Sequence, residues 1–278
     1  MNLKDPKTLE WVINLSKYKA LAFFDLETTG TDVVSDRICE ICIYRVDRGV
    51  LTKFNTMVDP LMPIPVEASN VHGITNEVLQ RYGAKRLEDY ADLIKEFLEN
   101  AVLVTYNGDR FDVPLLIQEF SRIGKPFKEP TKIETIDAYS IYVRHHGRTL
   151  TDAYRDYTGE EMVDAHKADA DVEALMMILE SQIKAHTLTN FTLKEVIAYS
   201  KLDKNGNTTE KDKIVDVSRK FIMKDYKTLF NFGKHKGQAA LNHPDYLKWM
   251  LSPDEAGRPR FLEDTLVHCK KLLDGKSN

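Results

Sequence analysis

The sequence predicts an α/β protein, a mixed β-sheet flanked by helices. Residues 20–26 form a short, continuous apolar run that reads as a buried strand. Two further strand-like runs follow it, separated by the turn signal Asp47-Arg48-Gly49. From residue 75 to 183, helix-period segments alternate with apolar runs, as in a sheet covered by helices. Of 278 residues, 42% are hydrophobic and 29% charged, enough apolar material for a sizeable core. The length implies one large domain with a small appendage.

The strands over 20–26, 38–44 and 51–58 predict a three-stranded antiparallel meander. Pro60, Pro63 and Pro65 then break regular structure. Helices are expected over 75–80 and 87–100, the second with Leu87, Tyr90, Ala91, Ile94, Phe97 and Leu98 on one face. Residues 101–106 read as another buried strand. Residues 112–123 read as a helix that stops at Gly124. A short strand over 132–136 and helices over 149–157 and 168–183 complete the unit. This order fits an RNase H-like mixed sheet spanning residues 1–183. The pattern weakens over 184–218, a charged, helical linker whose 201–213 stretch reads as a loop. Residues 219–278 form a second, small module.

The net charge of −4 argues against a protein that coats nucleic acid by charge alone. The charge is divided, however. Residues 1–189 carry a net −9 and residues 190–278 a net +5. An acidic body with a basic tail suits metal ions in one part and a polyanion on the other. Cys39 and Cys42 form a C-x-x-C, but on a strand they point to opposite faces, and no second pair completes a zinc site. With Cys269 they indicate a reducing compartment, and a cytoplasmic location is expected. No eighteen-residue apolar run exists, and residues 1–6 lack a secretory start, so no membrane partner is expected.

Three motifs carry the chemistry. In Phe24-Asp25-Leu26-Glu27-Thr28-Thr29-Gly30, Asp25 and Glu27 are two apart, so a strand sends both to one face. Their repulsion and desolvation would be relieved by a divalent cation. In Tyr106-Asn107-Gly108-Asp109-Arg110-Phe111-Asp112, a strand ends, a turn follows, and Asp112 opens a helix. In His166-Lys167-Ala168-Asp169-Ala170-Asp171, His166 precedes a helix and Asp171 borders its buried face. Asp169 lies on a different, solvated face. Four carboxylates without a His or Cys ligand cluster fit magnesium or manganese better than zinc.

Asp25-x-Glu27, Asp112 and His166-x-x-x-x-Asp171 together resemble the three motifs of the DEDDh exonuclease family. Val71-His72-Gly73-Ile74-Thr75 resembles a segment of its polymerase-proofreading branch. The resemblance covers about residues 19–183. It implies 3′–5′ hydrolysis of nucleic-acid ends, with two Mg2+ or Mn2+ ions about 4 Å apart. It also implies that Asp25 bridges both ions, with Glu27 and Asp171 on one and Asp112 either on the other or in the shell around the ligands. His166 would be the general base. Leu26, Thr28, His72 and Asn107 would meet the terminal nucleotide. Tyr106 departs from the His that many relatives carry before Asn107. His145 and His146 read as part of a solvated basic loop, and Asp137 as a helix cap.

In the module, Phe230-Asn231-Phe232-Gly233-Lys234-His235-Lys236-Gly237 and Pro244-Asp245-Tyr246-Leu247-Lys248-Trp249 resemble a unit appended to some bacterial and phage exonucleases. Tyr246 and Trp249 are expected in its core with Met250. Lys234 and Lys236, flanked by glycines, are expected to contact phosphate. The expected substrate is single-stranded DNA, with a polymerase or repair partner. The alternatives are an exoribonuclease of the same fold and a non-catalytic binding subunit. Intact acids count against the latter.

Overall fold

The computed structural model describes residues 10–17, 19–125, 133–143, 149–186, 188, 191–202, 214–224 and 227–275. The N-terminal start, Lys132, the basic loop with His145 and His146, and residues 203–213 lie outside the described residues.

After α1 (Glu10–Leu15) come β1 (Ala20–Thr28), β2 (Ile38–Asp47) and β3 (Val50–Asp59), joined as the expected antiparallel meander. Then follow α2 (Val66–His72), α3 (Asn76–Tyr82), β4 (Lys85–Arg86), α4 (Leu87–Leu98), β5 (Ala101–Thr105) and α5 (Asp112–Arg122). The unit closes with β6 (Thr135–Asp137), α6 (Ala138–Tyr142), α7 (Leu150–Thr158), α8 (Ala168–Ala185) and α9 (Leu193–Ser200). The sheet order is β4-β3-β2-β1-β5-β6, with β5 parallel to both β1 and β6. This is the RNase H-like mixed sheet.

Strand alternation divides the core. Ala20, Ala22, Phe24 and Leu26 face α4 and α5, whose Leu87, Ile94, Leu115 and Phe120 cover them. Leu21 and Phe23 face the other way, under Val172, Leu175 and Leu179 of α8. The two cysteines of β2 follow the same rule. Cys42 joins the α8 side and Cys39 a small cluster with Ile64, Ile74 and Leu79.

As expected, residues 60–65, with Pro60, Pro63 and Pro65, form neither helix nor strand, and Pro65 is the N-cap of α2. Asp137 caps α6 as expected but does more, as the site shows. Within 184–218, α9 puts Val196 and Ile197 into the α8-side core.

Beyond it, β7 (Phe221–Lys224) and β8 (Lys227–Phe230) form an antiparallel hairpin, followed by α10 (Pro244–Leu251) and α11 (Glu263–Leu273). Phe221, Phe230, Leu247, Met250, Phe261 and Leu272 make a separate core. Tyr246 packs against that core, but Trp249 does not enter it and is 42% exposed. The helical period that buries Leu247 and Met250 turns Trp249 outward, which corrects the expectation of a core tryptophan. Arg219 pairs with Asp109 at 3.1 Å, and the Glu263 N–H reaches Gln118 Oε1 at 3.4 Å, joining this module to the unit built on the six-stranded sheet.

Candidate active site

Asp25 and Glu27 continue the face of β1 on which Leu21 and Phe23 are buried, so both carboxylates emerge beside α8. Asp171, in the first turn of α8, meets them there. One carboxylate oxygen from each of Asp25, Glu27 and Asp171 lies within 4.8 Å of the others. Asp112 opens α5 on the opposite face of the sheet. Its carboxylate accepts the Leu26 backbone N–H and comes close enough to Asp25 to repel it.

The turn before Asp112 is set by glycine. A Cβ on Gly108 would meet the Thr105 side chain at 2.5 Å, so only glycine lets this turn close over the end of β5. Asn107 adopts a left-handed φ of 61°, and its N–H donates to Asp137 Oδ1 at 2.8 Å. The same Asp137 oxygen accepts from the Tyr139 N–H at 3.1 Å. Asp137 thus braces the turn before Asp112 as well as capping a helix. Asn107 Oδ1 is buried without a hydrogen-bond partner among the described residues. Tyr106 turns away, its hydroxyl donating to the Thr149 carbonyl at 2.7 Å.

Electrostatics set this cluster apart. Burial and then Asp112, Asp171 and Glu27 push Asp25 well above the usual carboxylate range. Burial and then Asp171 and Glu40 push Glu27 up to about 9. Asp112 and Asp171 rise to about 7, burial again leading, against the backbone N–H groups they accept. Buried anions that repel one another are a poor arrangement for stability and a good one for binding divalent cations, so the donor set fits hard cations. Asp169 is exposed and stands outside the cluster.

His166 is exposed, in a turn with φ of 67°, just ahead of α8. His72 is half-buried nearby. Its Nδ1 accepts the Ile74 N–H at 3.1 Å, so its Nε2 carries the proton and donates to the Thr28 carbonyl at 3.1 Å. Burial, together with His166, lowers the His72 pKa, which keeps that tautomer neutral. Thr28 in turn donates its hydroxyl to the Gly30 carbonyl at 2.7 Å.

Glu40 was not evident from the sequence. It is the Cα partner of Glu27 across β1 and β2. Its carboxylate accepts the Ala168 N–H at the start of α8 and the Asn55 side chain, and burial raises its pKa. Its position in β2 places it on the same face as Cys42, but only the strand register sets it opposite Glu27.

A mixed sheet with acids converging at the end of its central strand, drawn from both covering layers, defines a nuclease of RNase H-like architecture. Residues 22–179 match the RNase T exonuclease family, and the chain belongs to it. It is 29% identical over 189 residues to DNA polymerase III subunit epsilon of Treponema pallidum, covering 65% of this chain and 84% of that one. It is 33% identical over 116 residues to the exonuclease DPD1, chloroplastic/mitochondrial, of Arabidopsis thaliana, covering 39% of this chain and 36% of that one. A DNA polymerase III PolC-type from Streptococcus suis is 28% identical, but the match spans only 12% of its length against 60% of this chain. In fold, the chain is similar to E. coli exonuclease I in complex with a dT13 oligonucleotide. The TM-score is 0.51 at 19% identity, over 62% of this chain and 42% of that one. Among the described residues, no helix is long and apolar enough to cross a membrane.

Proposed function

We propose that this chain is a metal-dependent 3′–5′ exonuclease that releases nucleoside monophosphates from single-stranded DNA. The observation that carries this reading is the convergence of Asp25, Glu27 and Asp171 within 4.8 Å, with Asp112 and His166 beside them. The polymerase III subunits among its relatives support a polymerase or repair partner. The oligonucleotide in the exonuclease I complex supports a single strand as substrate. Three buried, free cysteines fit a reducing compartment such as the cytoplasm.

Two magnesium or manganese ions held by Asp25, Glu27, Asp171 and Asp112 would supply water activation and stabilisation of the leaving oxygen. His166, exposed in the turn ahead of α8, takes the proton of the attacking water. The water oxygen bonds to phosphorus as the bond to the 3′ oxygen of the next nucleotide breaks, and that oxygen takes a proton from solvent water. Leu26 and Thr28, on either side of Glu27, and Asn107 hold the terminal nucleotide. The unpartnered Asn107 Oδ1 is an acceptor for one of its donors. His72 fixes the Thr28 carbonyl and presents its ring to the same nucleotide.

Side-by-side digestion of labelled single-stranded DNA, duplex DNA and RNA, with and without chelator, tests the reading. Stepwise loss of single nucleotides from the 3′ end of DNA, abolished by EDTA and by Asp25→Asn, is the expected result. Internal cuts, release from the 5′ end, or full activity in chelator would overturn it.

A further inference from the structure

We propose that the groove between the Gly233–His235 turn and α10 binds an unpaired nucleotide of the same strand whose end the catalytic site holds. The groove has a volume of about 600 Å³, nucleotide-sized, and Lys234, His235, His243, Tyr246 and Trp249 line it. Its aromatic surface is built, not incidental. Trp249 stacks on Tyr246 with centroids 4.9 Å apart and planes 15° apart. His235 stacks on His243 at 3.8 Å. Gly233 adopts a φ of 63°, and a Cβ there would strike Tyr246 Oη at 2.5 Å, so the turn closes on the tyrosine only because it is glycine.

Cations surround these rings. Lys234 Nζ lies 5.5 Å from the Tyr246 centroid, and the Arg260 guanidinium lies 5.4 Å from that of Trp249. Asp245 also lines the groove but is engaged by Lys248 at 3.5 Å. Residues 219–278 hold twelve Lys and Arg against seven Asp and Glu. Exposed aromatic surface beside cations suits bases and phosphates of a single strand, whose π-faces need no pairing partner. Lys236, expected with Lys234 to contact phosphate, does not line the groove.

The groove is tied to the site. Arg260 and Phe261 touch Trp249, and Glu263 follows them with its N–H on Gln118 of α5, the helix that Asp112 opens. Arg219 fastens the other side of the module to Asp109, in the turn before Asp112.

The inference rests on the chain acting on nucleic-acid ends, so its test reads binding in EDTA, where no hydrolysis is measured. The full chain is titrated with labelled oligothymidine, oligouridine and an abasic strand of equal length. Trp249→Ala is expected to weaken binding of the base-bearing strands about tenfold, and Trp249→Phe to recover most of it. The abasic strand should bind both proteins alike. The chain has two tryptophans, Trp11 and Trp249. Quenching of tryptophan fluorescence by the strand should persist in Trp11→Phe and vanish in Trp249→Phe. Lys234→Ala should flatten the salt dependence by about one phosphate contact. A loss on DNA alone, RNA alone or both supports the groove. Equal affinity of Trp249→Ala and wild type, or a matching loss on the abasic strand, would overturn it and leave the face to a protein partner. A chain that cuts nothing yet binds through Trp249 would sink the exonuclease reading alone.

Discussion

The backbone N–H of His166 donates to the Asp171 carboxylate, at 3.3 Å to one oxygen and 3.2 Å to the other. The proposed base and a proposed metal ligand are therefore joined through the main chain, not through the imidazole. Replacing the side chain should then separate their roles. His166→Ala is expected to lower kcat by roughly 10²–10⁴-fold. Manganese affinity, read by calorimetry, should stay within about threefold of wild type. His166→Gly, which accepts the left-handed φ of 67° without strain, should lose the same rate with no loss of thermal stability. A variant that retains the wild-type rate and pH profile would show that another group takes the proton.

The raised carboxyl groups give the metal-free protein a pH dependence of definite sign. Unfolded carboxyls titrate near pH 4. Folded, Asp112 and Asp171 titrate at about 7 and Glu27 at about 9, with Asp25 also raised. The folded state thus holds protons that the unfolded state has lost. The stability these groups contribute is complete below about pH 4, falls progressively above it, and is gone once pH has risen through the folded values of about 7 to 9. Melting in EDTA should show Tm falling across this window. Manganese should raise Tm more at about pH 8.5 than at about pH 6, since it binds the ionised forms. Equal metal-induced shifts at both values would contradict the electrostatic reading.

Asp25→Asn should stabilise the metal-free protein at alkaline pH, because it removes one of the mutually repelling anions. A gain in Tm of at least roughly 2 °C is expected, the shift that corresponds to about 1 kcal/mol in a chain of this size. Activity should be lost at the same time. Asp169→Asn, on the exposed face of α8, should stay within about twofold of the wild-type rate. A digestion assay and a melting curve on the two variants check both statements.

Glu40 holds the start of α8 through the Ala168 N–H, and α8 carries Asp171. Glu40→Ala is expected to cost roughly 10–100-fold in activity or metal affinity, the scale of lost outer support around a metal site. Glu40→Gln keeps an acceptor for that N–H and should recover most of the loss. Wild-type behaviour of the alanine variant would remove Glu40 from the site.

Glu119 is buried and pairs with Arg37 at 2.7 Å and with Arg122. Arg122 also donates to the carbonyls of Val34 and Asp36, which fastens the loop after β1 to α5. Glu119→Ala leaves two guanidinium groups facing each other in a largely buried place. A loss of roughly 3–5 kcal/mol is expected in chemical denaturation. A loss below about 1 kcal/mol would mean that water replaces the carboxylate without penalty.

Much of the fold was legible in periodicity. Asp25 and Glu27 fall at strand spacing after Leu21 and Phe23, and Asp171 falls at helical spacing before Leu175, so each motif lies on its element as read. Helix α9 lies in the stretch read as a helical linker, but its period does not say that Val196 and Ile197 meet the α8-side core. Trp249 was misplaced for a related reason. Helical spacing gives the relative faces of Leu247, Trp249 and Met250, but not which face meets the core.

By itself the sequence determined the identity of the acids, their local geometry and the elements that carry them. These depend on interactions within a few residues, where backbone period and turn chemistry suffice. Only the tertiary structure decided that Glu40 stands opposite Glu27, that Asp137 braces Asn107, and that Arg219 reaches Asp109. Each is a contact between segments far apart in the chain. Strand register and helix docking fix such contacts, and these are set by how the whole core packs, which no local pattern encodes.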